Sequence, residues 1–196
     1  SEWEQALACG RRLGDDALPE LRLDLFPEAD PEALVDALKR RCLVACRRVS
    51  EGGRWPDGDE AGRIAHLVKA LKGKPQWLDL EWDLPIPPGI QAARTHVRLL
   101  RSIHVAPGVF DLEARLRQLP EGEAFKWVGW AERLGDSGRL RAPLAWARDH
   151  GVRLAAFLMG PKGLPSRVLQ AAWGGAFTYA APDDGPPAAP GQLPLA

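Results

Sequence analysis

Two spacings of apolar residues take turns along this chain. In ELRLD (20–24) apolar and charged residues alternate one by one, so Glu20, Arg22 and Asp24 fall on one face of a strand. CLVACR (42–47), QWLDLEW (76–82), VRLLRSIH (97–104), AFKWVGW (124–130), VRLAAFLM (152–159) and AFTYA (176–180) read as further strands. Helical signals lie between them. Ser1 and Glu4 form an S-x-x-E capping box, which predicts a helix from the first residue to about Leu13. Asp30-Pro31 is an N-cap followed by proline at the first helical position, with Leu34, Ala37 and Leu38 inward and a stop near Arg40. Ile64, Leu67, Val68 and Leu71 follow the i, i+3, i+4, i+7 rule, and Gly73 ends that helix. IPPGIQAAR holds at most a short helix. Further helices are expected over 110–119, before His150-Gly151 (with Pro143 confining or kinking it) and over 166–173.

Seven strands with helices between most of them predict a parallel sheet covered by helices. No dinucleotide-type glycine fingerprint is present, which favours a barrel over an open doubly wound sheet. The order begins with a helix, whereas a closed eight-stranded barrel takes a strand before Ser1 and usually a helix after Ala196. The expectation is therefore an α/β, (β/α)8 TIM-type barrel lacking its first strand and last helix in this chain, forming one domain over residues 1–196.

Composition narrows the partners. Twenty-six basic residues balance 26 acidic ones, which disfavours a nucleic-acid binder. No run of 18 apolar residues exists, so no membrane span is expected. Cys9, Cys42 and Cys46 show no zinc spacing and read as free thiols of a reducing, cytoplasmic compartment. No histidine–carboxylate spacing points to a metal.

Charge placement carries the functional signal. In a barrel alternate strand residues point inward, and active sites gather at the carboxyl ends. Glu20, Arg22 and Asp24 share a face of the first strand. Arg47 ends the second, with Glu51 a short loop away; Asp79 and Glu81 share a face of the third, and Ser102 and His104 a face of the fourth. Lys126 lies inside AFKWVGW, and Met159 and Thr178 come from the last two strands. Unpaired charge in a strand interior is costly, so ionisable groups on five strands are hard to explain as solvated ends. Burial of Lys126 would favour its neutral amine, the form that attacks a carbonyl to make a Schiff base. The competing structural reading is a snorkelling lysine, or one paired with Glu51 or Glu81. His104 is either a hydrogen-bonded core residue or a proton shuttle. His66, His96 and His150 read as surface residues, and Arg48 and Arg54 as surface ion pairs. Arg22, Arg47 and Arg167 could each fork onto a carboxylate. GPKG (160–163) matches no phosphate-binding pattern.

The ordered set ELRLD, R-x-x-x-EGG, LDLE, S-x-H, a strand lysine, MG-x-x-G-x-x-SR and APGQ resembles type I 3-dehydroquinate dehydratase. It runs from about Leu18 to Gln192, and the strength lies in seven motifs in order, not in any one of them. The resemblance implies a (β/α)8 barrel, a homodimer, no metal or other cofactor, and dehydration of 3-dehydroquinate to 3-dehydroshikimate in the shikimate route. It makes Lys126 the Schiff-base lysine and His104 the acid–base group, with Glu51 orienting and tuning His104. It gives Glu20 and Arg22 the substrate hydroxyls, Arg47 and Arg167 the polar rim, with Arg167 on the carboxylate, and Gln192 a closing role. The small-residue loop around 180–190 would serve as a flexible lid.

Two positions depart from the family pattern: Val105 stands where an aspartate often follows the histidine, and Ala188 where serine or threonine is common. Two other functions fit the same residues. One is a different class I Schiff-base lyase or aldolase, acting on a phosphorylated substrate; the other is a non-catalytic descendant binding a carboxylate ligand or a partner protein.

Overall fold

The computed structural model describes residues 2–120, 122–181 and 191–194. Its residues group into two compact units, Ser1–Leu100 and Arg101–Ala196. Within each unit the strand pairs of defined register are parallel.

In the first unit, helix α1 (Glu2–Arg12) precedes β1 (Glu20–Arg22), which pairs with β2 (Leu43–Ala45), which in turn pairs with β3 (Trp77–Glu81). Helices α2 (Pro31–Ala37) and α3 (Glu60–Lys72) cross between these strands, and α4 (Pro88–Ala93) follows β3. The Asp30 side chain accepts from the Glu32 N–H at 3.0 Å, so the expected cap of α2 is present. Alternation sorts the strands. Leu21, Val44, Leu78 and Leu80 take one face and join a buried apolar cluster with Leu34, Val35, Leu67 and Leu71 of α2 and α3. The opposite face receives Glu20, Arg22, Asp79 and Glu81. Strand β1 is shorter than expected because Leu23–Leu25 turn into a 3-10 helix, which carries Asp24 back over the strand end.

Strand β4 (Arg98–His104) runs across the boundary between the units. The second unit continues through α5 (Leu112–Leu116), β5 (Ala124–Trp130), α6 (Arg141–Asp149), β6 (Leu154–Met159) and α7 (Leu164–Leu169). Strands β5 and β6 pair over six residues, from Phe125 opposite Leu154 to Trp130 opposite Met159. Pro143 lies near the start of α6, where a missing N–H costs little.

The seventh expected strand is not formed. Ala176 donates its N–H to the Leu154 carbonyl at 2.8 Å, a single ladder bond, and residues 177–180 make no regular pairing. Gly174 at φ 107° and the Gly175 N–H bonded to the Gln170 carbonyl bend the chain back on α7, so only Ala176 meets the edge of β6. Six strands are therefore assigned among the described residues, not the eight of a full barrel. The expected lid falls mainly on residues 182–190, outside the described residues, as do Ala188 and the capping serine Ser1.

Candidate active site

In the second unit the site is built around Lys126. The Val105 N–H donates to the Val128 carbonyl at 2.9 Å, which fixes a parallel register with His104 opposite Val128 and, two residues earlier, Ser102 opposite Lys126. Lys126 also stands opposite Ala155 of β6. By alternation Ser102, His104, Lys126 and Phe157 belong to one face of these three strands. Phe125 and Trp127 belong to the other, where Trp127 donates its indole N–H to Asp111 at 2.9 Å.

Lys126 is buried, 3% exposed. Its ammonium lies 3.4 Å from the hydroxyl of Tyr179 and 4.9 Å from the centre of that ring. Tyr179 packs against Phe157 and Phe177, with ring centres 5.8 and 5.9 Å away. The Arg167 guanidinium lies 4.4 Å over the Phe157 ring. Arg167 is buried, and burial pushes its pKa down to about 10. The turn carrying Gln192 lies nearby: a Cβ added to Gly191 would sit 3.7 Å from Arg167 Nε and 3.3 Å from the Gly160 carbonyl. Gly191 holds φ 81°, a left-handed conformation that glycine adopts without strain. Thus Lys126, Tyr179, Phe157, Arg167 and the Gly191-Gln192 turn form one continuous set of neighbours.

The first unit holds the acidic and basic groups of β1–β3 in a network. Arg22 forks onto Asp24 with bonds of 2.8 and 2.7 Å. Asp24 also accepts the backbone N–H groups of Arg47 and Arg54, each at 3.0 Å. Burial raises the Asp24 carboxyl, but these four donors and the Arg22 charge outweigh it and hold the group below the usual carboxylate range. Arg47 is buried and bonded to Asp79, and reaches Glu81 at 3.3 Å. Arg63, fully buried on α3, meets the same Glu81 at 3.0 and 3.1 Å, the Cys46 carbonyl at 2.6 Å and Glu60 at 2.7 Å. Glu51 lies in a 3-10 turn after β2, with Arg48 at 3.9 Å, and Gly52 at φ 77° ends that turn. Among the described residues, no cluster of histidine, cysteine, aspartate and glutamate could hold a metal ion.

The structure thus brings Lys126 and Arg167 into one neighbourhood with the Gln192 turn, and gives Lys126 and His104 a common strand face. Arg22 and Arg47 are joined in the first unit through Asp24. Arg48, expected to be a surface ion pair, does bond to Asp83 at 3.0 and 3.1 Å, while Arg54 is exposed. His96 and His150 are exposed as expected, but His66 is half-buried against the Trp55 ring, 5.1 Å away. Burial lowers its pKa. Two residues escaped the sequence reading. Arg63 stands four residues before Leu67 and so on the apolar stripe of α3, a signal that was available. Tyr179 is the chain's single tyrosine, beside Thr178 in AFTYA.

Such an array, a buried lysine and an imidazole on the face of a parallel α/β sheet, belongs to a class that several families share. The comparisons with known proteins narrow it. The sequence model of the type I 3-dehydroquinase family matches residues 4–196. A 3-dehydroquinate dehydratase of Dehalococcoides mccartyi is 33% identical over 186 residues, covering 92% of this chain and 82% of that protein. One of Archaeoglobus fulgidus is 35% identical over 177 residues, covering 90% and 83%. The crystal structure of 3-dehydroquinate dehydratase from Geobacillus kaustophilus superposes with a TM-score of 0.80 over 98% of this chain and 81% of that one, at 22% identity. The chain belongs to the type I 3-dehydroquinase family.

Proposed function

We propose that this protein dehydrates 3-dehydroquinate to 3-dehydroshikimate through a Schiff base on Lys126. The observation that carries the reading is the burial of Lys126 on the same strand face as His104, beside Tyr179 and near the Arg167 guanidinium. The dehydratase names of its relatives supply the substrate.

In this mechanism the Lys126 amine attacks the substrate ketone, water leaves, and an iminium forms. The iminium withdraws electrons from the neighbouring carbon and makes its C–H more acidic. His104 takes that proton, and the electron pair passes into an enamine. The enamine then expels the hydroxyl one carbon further on, which leaves as water with a proton returned by His104. Water finally hydrolyses the imine, frees the amine and releases the conjugated enone, so the net change is loss of one water. Arg167 holds the substrate carboxylate, whose charge would offset the cost of keeping that guanidinium out of water. Gln192, on a turn beside Arg167, closes over the ligand. Glu51 orients and tunes His104, Glu20 and Arg22 hold substrate hydroxyls, and Arg47 binds the polar rim. The Arg22–Asp24 and Arg47–Asp79 pairs support these last assignments by fixing both guanidiniums before ligand arrives. The same reading takes the protein to be a cytoplasmic homodimer. Among the described residues no helix is long and apolar enough to cross a membrane.

The test is an ultraviolet assay for the enone, with 3-dehydroquinate as substrate. Steady growth of the absorbance supports the reading; no turnover of 3-dehydroquinate rejects it.

A further inference from the structure

The geometry points to a second ligand site, for a small multiply charged phosphate-type anion, at the amino-terminal ends of β1–β3. The segments leading into these strands and into β4 line a groove of about 650 Å³ in the first unit. Arg47 and Glu51 follow β2 at its carboxyl end, so the groove lies at the other end of the strands from those two candidate-site residues.

Charge in the groove is unbalanced. Lys39, Arg40, Arg41, Lys74 and Arg98 line it, against Asp15 and Asp16. Arg41 is engaged by the carbonyls of Leu13 at 3.2 Å and Ala17 at 2.5 Å. Arg40 reaches Asp36 only at 3.9 Å. Arg98 lies 5.5 Å over the ring of Trp77, which also lines the groove. Lys39, Arg40, Lys74 and Arg98 are exposed.

The backbone supplies an independent observation. Among the described residues, those other than glycine with positive φ are Lys39 at 53°, Arg40 at 66° and Lys74 at 55°. All three line this one groove. They follow the ends of α2 and α3, where a left-handed residue is ordinarily glycine. The left-handed region is costly for any residue with a Cβ. Cations near helix carboxyl ends are favourable, which accounts for their sign. It does not account for left-handed cations from two separate helix ends lining the same open groove as Arg98, which no helix end explains. A compact anion with several charged oxygens satisfies cations from all three segments together, whereas a monocarboxylate reaches one or two.

The experiment is calorimetric titration of the full chain with pyrophosphate at low salt. The expected result is saturable one-site binding that weakens about tenfold or more in the Lys39→Gly, Lys74→Gly double variant and in Arg98→Gln. Glycine relieves the left-handed positions, so the double variant should melt no lower than the parent. Arg167→Ala should bind pyrophosphate as the parent does. Absence of saturable binding, unchanged affinity in both groove variants, or loss of binding in Arg167→Ala would each overturn the assignment. None of these outcomes depends on whether the chain turns over 3-dehydroquinate.

Discussion

The ammonium of Lys126 lies 3.4 Å from the hydroxyl of Tyr179, on a strand whose neighbouring positions are buried. The same ring offers its face 4.9 Å away, so one aromatic side chain gives the lysine a polar contact and a π contact together. Tyr179→Phe keeps the ring and removes the hydroxyl. It should lower kcat/KM by up to about tenfold, the scale of one hydrogen bond, with little change in melting temperature. Tyr179→Ala removes both contacts and should cost more. Steady-state kinetics on the two variants checks this; a Tyr179→Phe variant as active as the parent beside an impaired Tyr179→Ala would assign the effect to packing alone.

Arg63 is the charge that completes the first unit's network. Its loss leaves Glu81 buried with less compensation, and removal of one partner of a buried pair costs about 3–5 kcal/mol. Arg63→Met should therefore lower the urea midpoint strongly. Replacing Glu81 by Gln in the same background should recover part of the loss, because the residual charge is gone. A double variant as unstable as the sum of the singles would contradict the coupling.

Asp24 sets an acid limit. Its folded carboxyl titrates below the ordinary value of about 3.9, so its stabilisation is fully present above that value and is lost as pH falls through the lower folded value. The parent should lose stability on acidification below about pH 4 more steeply than Asp24→Asn, which should be less stable than the parent at pH 7. Denaturant midpoints between pH 2 and 7 would show the two curves converging toward acid.

Gly53 keeps the backbone of Arg47 in place. A Cβ there would collide with the Arg47 carbonyl and its own Cβ, both too close to be moved by a side-chain rotation. Gly53→Ala should cost about 1–3 kcal/mol in urea denaturation and raise KM, since the strand end that carries Arg47 must shift.

Much of this was readable from periodicity. AFKWVGW is a strand from Ala124 to Trp130 as expected, because its length, aromatics and bounding turns all agreed. The alternation in ELRLD and LDLE correctly put Glu20, Arg22, Asp79 and Glu81 opposite the leucines that fill the core, whereas Asp24 leaves the strand in a 3-10 turn. AFTYA looked like the same kind of signal and was not. Strand pairing depends on a neighbour, and the Gly174-Gly175 bend brings only Ala176 to the edge of β6. The partners of each charge were also out of reach of spacing. Nothing in the sequence says that Asp24 turns back to bond Arg22 while also receiving two backbone N–H groups from the β2–α3 loop region. Those contacts depend on a 3-10 turn that ends β1 two residues early.

The central claim is that Lys126 forms a covalent imine with the substrate. Borohydride added during turnover of 3-dehydroquinate should reduce that imine and fix the adduct, visible by mass spectrometry of the digested protein as added mass on the peptide carrying Lys126. Lys126→Ala should give none. Turnover of 3-dehydroquinate with no adduct on Lys126 would contradict the account.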